Sequence, residues 1–213
     1  MNDDDIQEYR GKKVAIRFDT AKCIHSRNCV LGNPKVFVAN APGEWIRPDE
    51  DSPEAIAALV QRCPSGALTY ERLDEGEQER APLVNTVHLR ENGPLAFHAD
   101  MAIQGHDSCY RATLCRCGAS RHKPFCDNSH LEAHFVATGE PLSMDSDPLP
   151  ERGGKLTVTP NPNGPLQVEG NLEICSGTGR TLNRTQKTWF CRCGGSQNKP
   201  YCDGTHRKIG FTA

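Results

Sequence analysis

Long apolar runs are missing from this chain. Its 213 residues open MNDDDIQEYRGKK, acidic and then basic, with no N-terminal stretch of signal-peptide or membrane-spanning length. The expected setting is therefore the cytoplasm, with no membrane partner. Aromatic residues are scarce at 6% and methionine is limited to 3, whereas glycine (19) and proline (15) are plentiful. So thin an apolar supply does not fill one large core, and it predicts small units held by metals or covalent staples. Charge of one sign is lacking too: 25 Lys and Arg face 27 Asp and Glu, a net of -2. That balance leaves no basic footprint for a nucleic acid. Glycine-rich phosphate loops, nucleophile elbows and paired carboxylates in a recognisable frame are also absent. The chain is accordingly expected not to be an enzyme.

Cysteine is what the sequence holds in excess. Eleven cysteines, an odd number and clustered, in a reducing compartment argue for metal or cluster ligation over disulfides. Residues 115–130 read CRCGASRHKPFCDNSH and residues 191–206 read CRCGGSQNKPYCDGTH. In each the candidate ligands are spaced C-x-C-x8-C-x3-H: Cys115, Cys117, Cys126 and His130, then Cys191, Cys193, Cys202 and His206. Three thiolates and an imidazole suit either an iron-sulfur cluster or zinc. Two cysteines one residue apart hold a single metal only from an extended or tight-turn backbone, where many zinc sites use C-x2-C. Cys-x3-His predicts both side chains on one face of a helical turn, begun by Asp127 or Asp203 accepting backbone N–H groups. Pro124 and Pro200 restrict the approach to the third cysteine, and Gly118, Gly194 and Gly195 permit tight turns around a bulky inorganic core. The flanking Arg116, Arg121, Lys123, Arg192 and Lys199 read as a solvated loop surface. His88, His98, His106, His122 and His134 read as surface or satisfied side chains, and Cys109 and Cys175 as packing residues.

The two stretches sit in an internal repeat. Gly93-Pro94-Leu95 corresponds to Gly164-Pro165-Leu166, Met101-Ala102-Ile103 to Leu172-Glu173-Ile174, and Phe135 and Phe211 both fall five positions after the final histidine. Short β-prone pieces (84–89, 95–98, 156–159, 188–190) lead into each cluster. Extra residues in the second copy, between Cys175 and Asn183, predict a surface loop, and residues 137–154 an irregular connection. Upstream, residues 12–72 carry the strand alternation Val14-Ile16-Phe18 and then a helix capped by Ser52-Pro53. Ile56, Leu59, Val60 and Cys63 fall on its inward stripe, and Pro64 ends it. The charged segment 71–82 reads as a linker. Cys23 and Cys29, spaced C-x5-C, and the distant Cys63-Pro64 form a second kind of set. Three thiolates suit a [3Fe-4S] cluster, or a [4Fe-4S] cluster completed by Ser26, His25 or a small external ligand. Buried, unligated cysteines are the alternative.

Both C-terminal stretches resemble the CDGSH iron-sulfur domain of the mitoNEET-like family, whose pattern is C-x-C-x2-[ST]-x3-P-x-C-D-G-[SAT]-H. The second copy matches throughout, with Ser196 and Pro200. The first matches with Ser120 and Pro124 but carries Asn128 in place of glycine, a residue that tolerates the left-handed backbone. Residues 12–72 resemble the divergent mono-cluster ferredoxin domain that often accompanies CDGSH units. Together the resemblances imply an α+β protein: a small ferredoxin-like domain (1–75) followed by two small β-rich CDGSH units (76–140 and 141–213). They imply a [2Fe-2S] cluster on each set of three cysteines and one histidine, and one [3Fe-4S] or [4Fe-4S] cluster on Cys23, Cys29 and Cys63. Two chains pair in that family, so tandem copies are expected to form an internal pseudo-dimer in a monomer, or the chain a homodimer. The implied role is electron transfer with a redox partner protein. Cluster donation to an apo-protein or redox sensing is the alternative, and a zinc-stapled interaction module a third. An imidazole in place of a thiolate raises a cluster's potential and adds a group that protonates near neutral pH, so redox behaviour and lability are expected to depend on pH.

Overall fold

The computed structural model describes residues 5–213 and divides into two compact units, the first ending at Arg80 and the second beginning at Ala81. In the first, β1 (Ile6–Arg10), β2 (Val14–Asp19) and β3 (Leu68–Arg72) form an antiparallel sheet in that order. The alternation expected of β2 puts Val14 and Ile16 in the core, leaves Arg17 in solvent and half-buries Phe18, whose ring meets Trp45 edge-on at 4.9 Å. A short helix α1 (Asn28–Gly32) precedes α2 (Pro53–Val60). Ser52 Oγ accepts the Ala55 N–H at 3.2 Å, the capping bond that the sequence predicts. Ile56, Leu59 and Val60 then share one core with Val14, Ile16 and Ile46, each burial contributing about 1.5–3 kcal/mol.

Two expectations fail locally here. Arg62 and Cys63 bond back to the carbonyls of Leu59 and Val60, which tightens the last turn, and the residue before a proline avoids the helical region. Cys63 therefore lies in the turn after α2 and not on the helix, although, half-buried, it still packs against the core that Ile56, Leu59 and Val60 share. The charged segment also starts late: Glu71 and Arg72 complete β3, and the buried Arg72 guanidinium bonds Asp74 at 2.8 Å and Glu54 at 2.5 Å.

The second unit contains β4 (Thr86–Leu89), β5 (Leu95–Ile103), β6 (Cys109–Leu114), β7 (Lys155–Pro160), β8 (Leu166–Cys175) and β9 (Thr181–Phe190). Two one-turn helices, α3 (Ser129–Glu132) and α4 (Thr205–Lys208), complete it. The internal repeat is also a repeat of pairings. β4 with β5, and β7 with β8, are antiparallel hairpins, and β6 and β9 add to β5 and β8. Both long strands have an irregularity in the middle, at His98/Met101 and Glu169/Leu172. Before it each pairs with the first strand of its own repeat, β4 or β7; after it each pairs with that strand of the other repeat, while still pairing with its own β6 or β9. Asp100–Ile103 run parallel to Lys155–Val158 of β7, and Glu173–Cys175 run parallel to Thr86–His88 of β4. A single apolar core spans both repeats, with Phe97 and Phe190 edge-on at 6.1 Å.

Among the extra residues of the second copy, 176–180 carry no strand and 177–180 are exposed, the predicted surface loop, while the flanking β8–β9 ladder reaches Cys175↔Thr181 and buries Cys175. Residues 137–154 carry no strand or helix, yet Ala137 and Gly139 are buried and donate N–H bonds to Asn92 and Glu91. Among the described residues no helix is long and apolar enough to cross a membrane.

Candidate metal centres

β6 and β9 stop one residue before the first candidate ligand of each repeat, and backbone bonds carry the pairing into the loop. Cys115 N–H donates to Pro124 O at 2.8 Å and Cys126 N–H to Thr113 O at 2.9 Å; Cys191 with Pro200 and Cys202 with Trp189 reproduce both distances. Inside the loop Ser120 Oγ donates to Phe125 O at 2.6 Å and accepts the His122 N–H; Ser196 does the same with Tyr201 and Asn198. The Lys123–Pro124 and Lys199–Pro200 peptide bonds are cis.

This framing brings the donors together in pairs. Cys115 and Cys117 sulfurs lie 3.7 Å apart and those of Cys191 and Cys193 3.8 Å; Cys126 Sγ is 3.5 Å from His130 Nδ1 and Cys202 Sγ 3.4 Å from His206 Nδ1. A tetrahedral metal with sulfur ligands near 2.3 Å has an edge of about 3.8 Å, so each pair is spaced to share one metal. Among the described residues no three His, Cys, Asp or Glu side chains converge as ligands of a single ion do. The third cysteine and the histidine do not ride one helical turn, as their spacing predicts. Cys126 and Cys202 precede α3 and α4, and left-handed residues, Asn128 (φ 68) and Gly204 (φ 85), swing the chain between the two ligands. Asn128 takes up the conformation of its glycine counterpart.

Local hydrogen bonds hold these turns. Burial by itself would raise the Asp127 carboxyl, but bonds from Ser129 and the Arg121 N–H outweigh it and hold it at about 2. Asp203, receiving the Gln197 and Thr205 N–H groups, is also held well below the usual carboxylate range. Backbone N–H groups of Ala119, Gly195 and Gly204 approach Cys117, Cys193 and Cys202 sulfurs at 3.4 Å. The hydrogen bond between the two thiols brings Cys115 down to about 6 and pushes Cys117 up. Burial raises Cys126 to about 11, raises Cys191 and lowers His130.

At two positions the solvated basic rim predicted from sequence is replaced by buried cations. Arg116 is 1% exposed and Arg192 3%. Arg116 donates to the carbonyls of Arg90, Gly93, Ala137 and Thr138, and Arg192 to those of Asn161 and Gly164. Each guanidinium also packs over an aromatic ring of its own repeat, Phe135 at 5.5 Å and Phe211 at 5.4 Å. Turn carbonyls and ring faces suit the planar donor fork, which explains the burial. The sequence did carry a signal: the same residue fills both C-x-C gaps, with phenylalanine at the same offset. Arg121 conforms to expectation as an exposed residue, 3.8 Å from Asp127. His98, His122 and His134 are exposed, His106 packs edge-on to Phe125 at 4.9 Å, and Cys109 is half-buried against the core.

The N-terminal cysteines also meet. Cys23, Cys29 and Cys63 line one cavity of about 310 Å³ together with Phe18, Trp45 and Ser26. Left-handed His25 (φ 51) and Arg27 (φ 62) bend the loop so that α1 returns Cys29 to the cavity. Burial raises the Cys23 and Cys29 thiols, and the nearby charge of Cys63 adds to it. His25 Nδ1 is 3.9 Å from Cys23 Sγ, and Ser65 Oγ, absent from the sequence expectation, is 3.6 Å from Cys63 Sγ.

The family described as iron-binding zinc finger CDGSH type matches residues 84–131 and 163–207. CDGSH iron-sulfur domain-containing protein 1 of Bos taurus is 31% identical over 98 residues, 46% of this chain and 80% of that protein; its Mus musculus counterpart is 30% identical, with 79% covered. The chain belongs to the CDGSH iron-sulfur family. Residues 9–73 of this CDGSH protein match the family described as divergent 4Fe-4S mono-cluster. The chain is also 46% identical over 63 residues to Uncharacterized protein YjdI of Escherichia coli K12, 29% of this chain and 80% of that protein. It is an iron-sulfur protein, and its donor set fits: soft sulfur ligands, one imidazole per repeat and tetrahedral-edge spacing.

Proposed function

We propose that this CDGSH protein carries single electrons, holding a [2Fe-2S] cluster on each repeat and a [3Fe-4S] or [4Fe-4S] cluster on Cys23, Cys29 and Cys63. The observation that carries the reading is the pairing of donors: one Cys–Cys and one Cys–His edge per repeat, each sized for one iron of a two-iron core. When bound, such clusters supply reversible uptake of one electron. The chain supplies the surroundings. Buried Cys115, Cys126 and Cys191 keep water from the ligand sulfurs, N–H groups point at sulfur, and cations lie close by. The N–H groups and cations favour a more negative reduced state, burial opposes it, and one imidazole per repeat raises the potential. The reciprocal strand exchange supports an internal pseudo-dimer about an approximate two-fold axis, each repeat standing in for one chain of a pair. In this reading the protein acts in the cytoplasm, without catalysis of its own, and docks a redox partner protein.

Donation of clusters to an apo-protein is a second reading, favoured by His130, which is partly exposed where His206 is only 9% exposed. Iron and sulfide analysis with electron paramagnetic resonance on anaerobically purified protein tests the first reading. Two irons and two sulfides per repeat, reversibly reduced without loss, are the expected result; a lone divalent ion per repeat and no acid-labile sulfide overturns it. Rapid passage of iron and sulfide to an apo-ferredoxin would favour the second.

A further inference from the structure

We propose that the two repeats have different duties, set by the side chains that cover their ligand loops. Ile209 closes the Cys193 side of the second repeat, which retains its centre; the first repeat has no such cover and is the one that exchanges iron and sulfide with its surroundings. The inference rests on reading both repeats as cluster sites.

Glycines of the ligand loops are there for different reasons. The two loops abut: Gly118 (φ 85) and Gly194 (φ 76) are left-handed, and a Cβ on either would collide with the carbonyl of Cys193 or of Cys117. Gly195 has no left-handed backbone. What it makes room for is side chains. The place of its missing Cβ lies 2.9 Å from Thr205 Cγ2 and 3.1 Å from Ile209 Cδ1, with Cys193 Sγ 3.7 Å away. Thr205 and Ile209 reach this point together because they stand four residues apart on the turn of α4, where the Ile209 N–H donates to Thr205 O at 3.1 Å. The bond from the Gly195 N–H to the Cys193 sulfur is part-buried beside them.

The first repeat has the same frame without the cover. Ala133 N–H donates to Ser129 O at 2.9 Å, but Ser129 lacks the methyl group, Ala133 lacks the branched chain, and Ala119 stands where Gly195 makes room. The bond from the Ala119 N–H to the Cys117 sulfur is exposed, as are Ala119 and Ala133 themselves. His130 is half-buried where His206 is 9% exposed. Cys202 runs the other way, half-buried where Cys126 is 3% exposed, and offers the second repeat a competing point of entry.

Chelation of an oxidised centre is a ligand exchange. Carboxylates and amines of the chelator replace thiolate and imidazole on ferric iron, the sulfides leave as hydrogen sulfide with protons from the buffer, and no electron moves. A cover that must first swing away slows it. The full chain in anaerobic EDTA, followed by visible absorbance and released iron, is expected to lose the iron of one repeat well ahead of the other's. Ile209 is 54% exposed, so Ile209→Ala disturbs folding little; it is expected to speed the slow phase about tenfold, the factor carried by about half the burial of an isoleucine, and to leave the fast phase as it is. Gly195→Ala, which pushes Ile209 aside, should do the same. Ala119→Gly with Ala133→Ile transplants the cover and should slow the fast phase. Iron of the N-terminal centre leaves in the phase that none of these variants moves. Release from both repeats in a single phase, or a slow phase indifferent to Ile209→Ala because the chelator enters at Cys202, overturns the inference. A parent protein without acid-labile sulfide, found before any chelator is added, overturns the cluster reading itself.

Discussion

Asn128 and Gly204 occupy equivalent turns at φ 68 and 85, and nothing crowds the position where Gly204 would carry a Cβ. Gly204→Asn is therefore expected to cost no more than about 1 kcal/mol. Gly194 differs, because a side chain there meets both a left-handed backbone (φ 76) and the Cys117 carbonyl. Gly194→Ala is expected to cost about 3 kcal/mol or more, read as a lower denaturant midpoint of the cluster-loaded protein. Equal costs for the two substitutions would mean that the abutting loops can part. Glu173 supplies a pH-dependent case away from the centres. Its carboxylate is 3% exposed, takes two bonds from Arg152 at 2.6 and 3.1 Å, and is held below its usual range chiefly by them. A depressed folded value means stabilisation that is present above the unfolded pKa, about 4.3, and is lost as pH falls through the folded value. Glu173→Gln should cost about 1–3 kcal/mol of stability at pH 7, read as a lower thermal midpoint, with the gap closing in acid; a gap independent of pH would remove the charge from the explanation. The ligands were legible because their spacing is a local property. The burial of Arg116 was not, since the carbonyls that accept from it lie more than 20 residues away in sequence.

β5 and β8 carry the architecture of the second unit, each serving its own hairpin with one half and the opposite repeat with the other. Val87 and Ile174, partners in the parallel β4–β8 contact, are both fully buried. Ile174→Ala should cost about 2–5 kcal/mol and reduce bound iron in both repeats together. Loss confined to the second repeat would show that the strand exchange does not tie their stabilities. Strand positions were readable from alternation and β-branched runs, whereas the choice of partner after each irregularity depends on register between segments about 55 to 90 residues apart, which no local pattern specifies. The early end of α2 was missed for the opposite reason: a tightened last turn is a detail finer than the apolar stripe.

At the scale of the whole molecule, the division between Arg80 and Ala81 leads us to expect that residues 81–213 fold without the N-terminal unit and keep the iron of both repeats. A chain ending at residue 140 should not, because β4 and the second half of β5 lose β8 and β7. Iron content and near-ultraviolet circular dichroism of the two fragments check this; a folded, iron-loaded short fragment would contradict it. The repeat was visible in the sequence as recurring landmarks, but recurrence alone does not tell two beads on a string from two halves of one core. In this protein the exchanged strands belong to a single polypeptide, so the association they create has no dilution at which it comes apart. Each half can also acquire its own substitutions, as Asn128 opposite Gly204 already illustrates, a freedom that two identical subunits translated from one message do not have.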